Sequence, residues 1–149
     1  MTARDVSAIA PCEEALLAQG LFSNIQRAAR ALARRFDAEL RPLGLTNSQF
    51  ILLMLLNRQE PSGMAELASI LAIDRTTLTA ALKTLERRGF VRITNHPSDH
   101  RVRRIRLTGR GRASIMTSAP VWRRACQEIE SRLAKTDLDY LRQILQAFC

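Results

Sequence analysis

The chain has 149 residues, a hydrophobic fraction of 46% and a formal net charge of +9. This length supports one packed core rather than two, so we expect a single domain. No apolar run approaches the ~20 residues that span a bilayer, and the acidic N-terminal segment does not look like a secretory signal, so we expect a cytoplasmic protein without membrane contact.

The first two predicted helices occupy the region up to Met54. From Leu21 onward, apolar residues recur with helical spacing and predict a long amphipathic helix that ends near Gly44. Thr46 and Gln49 then have the spacing of a capping box, in which each side chain bonds the backbone N–H of the other residue. We therefore expect a second helix to begin at this point.

The third and fourth helices are separated by a tight turn. Apolar residues from Met64 to Leu71 follow a helical stripe, and only two residues lie between Leu71 and Asp74. Asp74 is a typical N-cap and Gly89 a typical C-terminal glycine, so a fourth helix is expected from Arg75 onward. This pattern indicates a helix-turn-helix, whose second helix is the recognition helix.

The hydrophobic period changes to two after Gly89. Val91 and Ile93 alternate with polar residues, a turn-rich stretch follows, and Ile105 and Leu107 alternate with arginines. This pattern predicts a two-stranded hairpin, or wing. The predicted fold class is therefore mainly α with a small β-hairpin wing: a winged helix-turn-helix with long terminal helices.

Two further helices are expected after the hairpin, with Thr108 and Thr136 as their caps. Their apolar residues recur at steps of three and four: Ile115, Ala119, Trp122, Cys126, Ile129 and Leu133 in the first, and Leu138, Leu141, Leu145 and Phe148 in the second. One small core cannot bury all of these side chains, so we expect a second copy of the chain to cover them in a homodimer.

The sequence contains few features that are typical of a metal site or of an active site. Cys12, Cys126 and Cys149 form no C-x-x-C pair, so reduced thiols are expected, with packing as the role of Cys126. His96 and His100 alone do not complete a tetrahedral metal site. Without a nucleophile elbow or a phosphate-binding glycine loop, we expect a protein that is not an enzyme and that needs no metal or cofactor.

Most of the positive charge lies in one segment. Between Asp74 and Arg112, 11 Lys or Arg residues stand against three acids, so this segment carries +8 of the net +9. Such a concentration predicts contact with an extended polyanion, and we expect double-stranded DNA. Alternatively, the arginines only keep a helix and a strand edge solvated, or the winged helix contacts proteins, which leaves the charge unexplained.

The predicted DNA contacts fall in the recognition helix and the hairpin. Short hydroxyl side chains let a helix approach base edges in the major groove. Arg101, held by Asp99, is expected to enter the minor groove, with Arg103 and Arg104 on phosphates. The full predicted set is Arg75, Thr76, Thr77, Thr79, Lys83, Arg87, Arg101, Arg103 and Arg104.

Three motifs resemble the MarR family of bacterial regulators. They are L-G-L-T-x-x-Q-F at 43–50, A-x-L-A-x-x-L-x-I-D-x-x-T-L-T-x-x-L-x-x-L-E-x-x-G-x-V at 65–91, and D-x-R at 99–101 followed by L-T at 107–108. The resemblance covers residues 21–148. It implies one MarR-like domain over 1–149, with a DNA-binding lobe at 45–108 and dimerisation helices at 14–44 and 109–149.

The resemblance also implies a repressor dimer on a palindromic operator, in many relatives released by a small phenolic or other anionic effector, including acyl-type molecules. The cysteine of peroxide-sensing relatives is replaced here by Leu21 or Phe22, so that chemistry is not expected. The predicted effector pocket consists of Ile25, Arg27, Arg30, Phe50, Met54 and Trp122, each of which has an alternative role in an ordinary core or surface. The alternative function is an effector-free architectural or anti-silencing DNA-binding protein.

Overall fold

The computed structural model describes residues 20–57, 63–95, 103–133 and 137–148. In these ranges the chain forms helices and one antiparallel hairpin, so the predicted fold class is confirmed. The elements are α1 (Leu21–Leu40), a 3₁₀ turn (Arg41–Leu43), α2 (Asn47–Leu56), α3 (Met64–Ile70), α4 (Arg75–Arg87), β1 (Val91–Asn95), β2 (Arg103–Leu107), α5 (Gly109–Arg132) and α6 (Leu138–Gln146).

The connection between α1 and α2 is built from local signals. Gly44 adopts a left-handed φ of 78°, and its N–H donates to the carbonyl of Arg41 at 2.8 Å. Such a φ favours glycine, which has no Cβ to clash. The Thr46 hydroxyl accepts from the Gln49 N–H at 3.3 Å, and the Gln49 side chain accepts from the Thr46 N–H at 3.2 Å. The predicted capping box is confirmed.

The turn before α4 also follows the sequence prediction. Ala72 has a positive φ of 50°, which reverses the chain within two residues, and Asp74 caps α4 by accepting from the Thr77 N–H at 2.8 Å. At the other end of α4, Gly89 has a φ of 72° and donates its N–H to Glu86 at 2.8 Å. Both ends of the predicted recognition helix are confirmed.

The hairpin presents one apolar and one polar face. Val91 pairs with Leu107 and Ile93 with Ile105, and these side chains pack toward the core. The Ile93 N–H donates to the Glu86 carboxylate at 3.0 Å, which ties β1 to the end of α4. The predicted wing tip, with Arg101, Asp99 and both histidines, lies outside the described residues.

One cluster of buried side chains joins the α-helices and strands from α1 to the first half of α5. Leu40, Leu53, Leu67, Leu78 and Leu85, contributed by four helices, have no solvent exposure. The recognition helix is therefore anchored on the same core as the long helices that flank it. A shift of the long helices would therefore move the recognition helix as well, because a core at native packing density deforms little.

The last two helices differ in how they are covered. Thr108 caps α5 as predicted, accepting from the Gly111 N–H at 3.0 Å. The prediction that Thr136 caps α6 is wrong: the Asp137 carboxylate accepts from the N–H groups of Asp139 and Tyr140, each at 3.0 Å. A carboxylate also interacts favourably with the positive end of a helix dipole. No residue of α6 is buried in the single chain.

Within the described ranges, no helix combines the length and the hydropathy needed to cross a bilayer. The same ranges contain no group of three or more His, Cys, Asp or Glu residues that could hold a metal ion.

Candidate nucleic-acid interface

The recognition helix α4 divides cleanly into two faces. Leu78, Leu82 and Leu85 are buried with at most 1% exposure, so they fix the helix against the core. The opposite face is exposed and carries four of the six DNA contacts predicted on this helix, together with Ala80: Arg75, Thr76, Lys83 and Arg87. This face holds three cations, and the one carboxylate beside them, that of Glu86, accepts a hydrogen bond from the Ile93 N–H. The excess of positive charge suits an anionic partner.

Two shallow grooves run along that exposed face and meet at Ala80 and Lys83. The first begins at Arg75 and Thr76, and the second extends to Arg87. The small side chain of Ala80 lies at their junction, so a second surface can approach the helix backbone closely there. This shape matches the close approach that a helix makes in the major groove.

The threonine hydroxyls of α4 are not equivalent. The Thr77 hydroxyl donates to the Asp74 carboxylate at 2.6 Å and so belongs to the cap, while the Thr79 hydroxyl donates to the Arg75 carbonyl at 2.7 Å. Hydrogen bonds from the hydroxyl and the N–H of Thr77 lower the pKa of Asp74. Among the described residues, the Thr76 hydroxyl has no hydrogen-bond partner, so of these three it is the one that can still donate to an external acceptor, while the Thr79 oxygen can still accept.

The outer face of the hairpin brings like charges together. Arg92 and Arg106 stand directly opposite each other in the register, and both are exposed. Like charges in this position destabilise a strand pair. An external anion would relieve the repulsion, so we add this pair to the predicted interface. The alternation of apolar and polar residues in β1 and β2 indicated that both arginines lie on the polar face. Only the strand register shows that they stand opposite each other. Of the two DNA contacts predicted on β2, Arg104 is half-buried, and the backbone of Arg103 stands opposite that of Asn95 in the strand register.

Arg88 connects the end of α4 to the preceding helices. Its Nη1 donates to the Gln49 side-chain oxygen at 2.9 Å, and its Nη2 donates to the Gly44 carbonyl. The guanidinium also lies 4.8 Å from the centre of the Phe90 ring. Arg88 thus positions the recognition helix instead of facing outward with Arg87, a role that no local pattern in the sequence indicates.

Two residues of the predicted effector pocket are packed against each other in the single chain. The ring of Trp122 lies 5.7 Å from those of Phe36 and Phe50, and Phe50 is only 1% exposed. The Trp122 Nε1 donates to the Asn47 side-chain oxygen at 3.1 Å, and the Asn47 N–H donates to Asp37 at 2.7 Å. These contacts join α1, α2 and α5 at one point.

The other four residues of that predicted pocket are all more exposed than Phe50. Arg27 and Arg30 are exposed on α1, where they line a groove of about 540 Å³ together with Asn24, Ala28, Ala31 and Arg34. Ile25 is half-buried and Met54 is 42% exposed. The groove that holds the two arginines therefore does not include Phe50 or Trp122.

Cys126 lies half-buried on α5. Burial raises the pKa of its thiol, and the Glu130 carboxylate adds to that effect. A thiol that stays protonated is a weak nucleophile, which favours the packing role over a sensor role.

The MarR family is also what sequence and structure comparisons identify. A sequence model of the MarR family matches residues 45–102. The M. tuberculosis transcriptional regulator MosR, solved in complex with DNA, is 36% identical, with 87% of this chain and 98% of that chain covered and a TM-score of 0.72.

Two further solved structures are similar over nearly the whole chain. The repressor CouR, bound to a 23-mer DNA duplex, is 29% identical, with coverage of 89% of this chain and 94% of that chain and a TM-score of 0.78. AbsC, a MarR family regulator from Streptomyces coelicolor, is 25% identical, with coverage of 87% and 90% and a TM-score of 0.77. The chain therefore belongs to the MarR family of winged helix-turn-helix transcription regulators, and it is not an enzyme.

Proposed function

We propose that this MarR family regulator is a homodimeric repressor, which binds a palindromic operator in double-stranded DNA and is released from it by a small anionic or aromatic molecule. The observation that carries the DNA-binding part is the exposed face of α4, with its three cations and the available Thr76 hydroxyl. MosR and CouR, which share the fold, were both solved with DNA.

The proposed contacts divide into two classes. Thr76 and Thr79 read base edges in the major groove, because short side chains on the exposed face reach them. Arg75, Lys83 and Arg87, with Arg103 and Arg104 of the hairpin, neutralise phosphates, and Arg101 enters the minor groove. We add Arg92 and Arg106 to the phosphate class. Thr77 contributes indirectly, because its hydroxyl donates to the Asp74 carboxylate that caps α4.

Dimerisation accounts for the apolar surface at the terminal helices. In the single chain, Phe22 on α1 is 74% exposed, and Tyr140 and Phe148 at α6 are 62% and 69% exposed. A two-fold dimer buries such side chains and sets two recognition helices to face successive major grooves. We accordingly divide the domain into a DNA-binding lobe at 45–108 and dimerisation segments at 14–44 and 109–149.

Effector release remains the second part of the proposal. CouR from Rhodococcus jostii RHA1, which has the same fold, was solved with p-coumaroyl-CoA. Here Arg27 and Arg30 would hold an anionic group, and Ile25, Met54, Phe50 and Trp122 would contact an apolar body. Release requires that the ligand bind more tightly to the dimer conformation that does not fit the operator.

The test of DNA binding is selection from a random double-stranded library followed by sequencing of the retained DNA. We expect enrichment of two inverted half-sites about one helical turn apart. Equal retention of all sequences would instead support the architectural alternative. Phenolic acids and acyl thioesters are then screened for both thermal stabilisation and operator release; a ligand that stabilises the protein without changing its DNA affinity contradicts the release mechanism.

A further inference from the structure

The recognition helix α4 uses most of its hydroxyl protons internally. Three of its four threonines donate to acceptors of the helix itself or of its cap: Thr77 to the Asp74 carboxylate at 2.6 Å, Thr79 to the Arg75 carbonyl at 2.7 Å and Thr84 to the Ala80 carbonyl at 3.0 Å. The middle of the helix therefore offers a base edge fewer hydrogen-bond donors than its composition indicates.

Ala80 lies at the point of closest approach on the exposed face. It is exposed, and the two grooves along that face meet beside it. Its side chain is a single methyl group, and its carbonyl already accepts the Thr84 hydroxyl. Ala80 thus presents apolar surface, and no free polar group, to whatever docks there.

One group on the base edges of the major groove matches such a surface. Guanine, adenine and cytosine expose only hydrogen-bond donors and acceptors there, whereas thymine adds a C5-methyl group to its O4 acceptor. A polar base edge against the Ala80 methyl would lose its bonds to water without replacement, which costs affinity. A methyl group in the same place gains affinity, because both apolar surfaces leave water.

We propose that Ala80 contacts the C5-methyl group of a pyrimidine, so that thymine is the preferred base at one position of each operator half-site. The two methyl carbons would lie about 3.5–4 Å apart. Thr76 precedes Ala80 by four residues, or about 6 Å along the helix axis, so it faces a different base pair. The assignment rests on the proposed function, since it requires that α4 bind the operator in one register.

The same chemistry extends to a modified base. 5-Methylcytosine carries its methyl group at the position of the thymine methyl and so offers Ala80 the same contact. Methylation of a cytosine at this position should therefore raise the affinity of the protein for a sequence that it otherwise binds weakly.

The test starts from the operator that library selection returns and removes one kind of methyl group at a time. Symmetry-related thymines of the two half-sites are replaced by deoxyuridine, which lacks the C5-methyl and keeps the hydrogen-bonding groups. One such pair should cost about 10- to 25-fold in affinity, since one buried methyl is worth about three- to fivefold and the dimer buries two. Cytosine at that pair should bind weakly, and 5-methylcytosine should regain the same factor over cytosine.

Ala80→Gly removes the protein methyl group from this contact. The deoxyuridine effect at that pair should fall to about twofold or less in this variant, while any effect at other thymines persists. Ala113→Gly, at an exposed alanine of α5, introduces the same cost of glycine in a helix and should leave the deoxyuridine effect unchanged. The comparisons of modified operators on the wild-type protein decide the case even where Ala80→Gly does not fold.

Equal affinity for thymine and deoxyuridine at every position, an undiminished methyl effect in Ala80→Gly, or no gain from 5-methylcytosine over cytosine would each overturn the assignment. In all three cases the unmodified operator is still bound, so the proposed function stands and the role of Ala80 alone is refuted. A selection that enriches no sequence refutes the proposed function, and the Ala80 contact with it.

Discussion

The Arg88 guanidinium and the Gln49 side chain join the recognition helix to the capping box of α2, with 2.9 Å between Nη1 and Oε1. The same Gln49 oxygen accepts from the Thr46 N–H at 3.2 Å, so one amide serves both a helix start and a tertiary contact. The orientation of the recognition helix is therefore coupled to the junction between α1 and α2. In the domain division that we propose, that junction also joins the DNA-binding lobe to the dimerisation segments.

Changes of the two adjacent arginines at the end of α4 should affect different properties of the protein. Arg88→Gln removes a cation that bonds Gln49 and Gly44, so the free energy of unfolding should fall by about 1–3 kcal/mol. Arg87→Gln, on the exposed face, should leave unfolding unchanged and weaken operator binding. Denaturant titration and operator affinity measure the two quantities. Equal destabilisation by both changes would contradict the positioning role of Arg88.

The Arg92–Arg106 pair predicts a conflict between stability and DNA binding. Arg106→Gln removes a like charge opposite Arg92, so the free energy of unfolding should rise by about 0.2–1 kcal/mol. The same change removes one phosphate contact, so the slope of log affinity against log salt should become shallower by about 0.9. Arg123→Gln is the matched control and should alter neither. An unchanged salt slope would exclude Arg106 from the interface.

The cap of α4 should make stability depend on pH in the acidic range. The folded-state pKa of Asp74 is depressed, so the unfolded chain binds more protons as pH falls, and the stabilisation present at neutral pH is lost as pH drops through the folded-state pKa. Thr77→Val removes the hydroxyl bond, which is the largest cause of that shift. The stability difference between wild type and Thr77→Val should be present at neutral pH and vanish in acid; a pH-independent difference would contradict this account.

The elements that sequence reasoning placed correctly are those with local signals. Asp74 and Thr46 lie within three residues of the N–H groups that they cap, and Gly89 ends α4 through its own φ. The hairpin followed from alternation, which depends only on neighbouring positions. Such features could be read from the sequence because both partners lie in one short segment.

The features that were missed depend on tertiary distance or on competition between neighbours. Arg88 and Gln49 are 39 residues apart, so periodicity cannot pair them. At α6, two residues that can each cap a helix stand side by side, and the pattern alone did not choose Asp137 over Thr136. The six predicted effector residues differ in burial, which the sequence did not indicate. Helical spacing shows which residues share a face of a helix, but it does not show what packs against that face.

Two glycines in the first turn of α5 offer a stringent test of how closely the hairpin and α5 approach. A Cβ on Gly111 would collide with the Phe90 backbone carbonyl, whereas a Cβ on Gly109 would meet nothing within 4 Å. Gly111→Ala should lower the free energy of unfolding by about 1–3 kcal/mol or more, because a backbone atom cannot move away freely. Gly109→Ala should be neutral or stabilise by up to about 1 kcal/mol. A similar effect of both changes would argue against the close approach.

The exposed stripe of α6 should control the oligomeric state. Tyr140 and Ile144 are spaced by four residues on α6, and Phe148 follows four residues later in the turn after the helix; they are 62%, 40% and 69% exposed in the single chain. The double change Ile144→Ser and Phe148→Ser leaves the buried core intact and removes apolar surface only from this stripe. We expect sedimentation to report a dimer for wild type and a monomer for the double variant, with far-ultraviolet circular dichroism unchanged.

Gln143→Ser, an exposed polar position on the same helix, is the matched control and should remain dimeric. Loss of the dimer should also abolish specific operator binding, because two half-sites one helical turn apart need two linked recognition helices, while weak nonspecific binding through the cations of α4 should persist. A double variant that stays dimeric, or a monomer that keeps full operator affinity, would show that α6 does not hold the two DNA-binding lobes together.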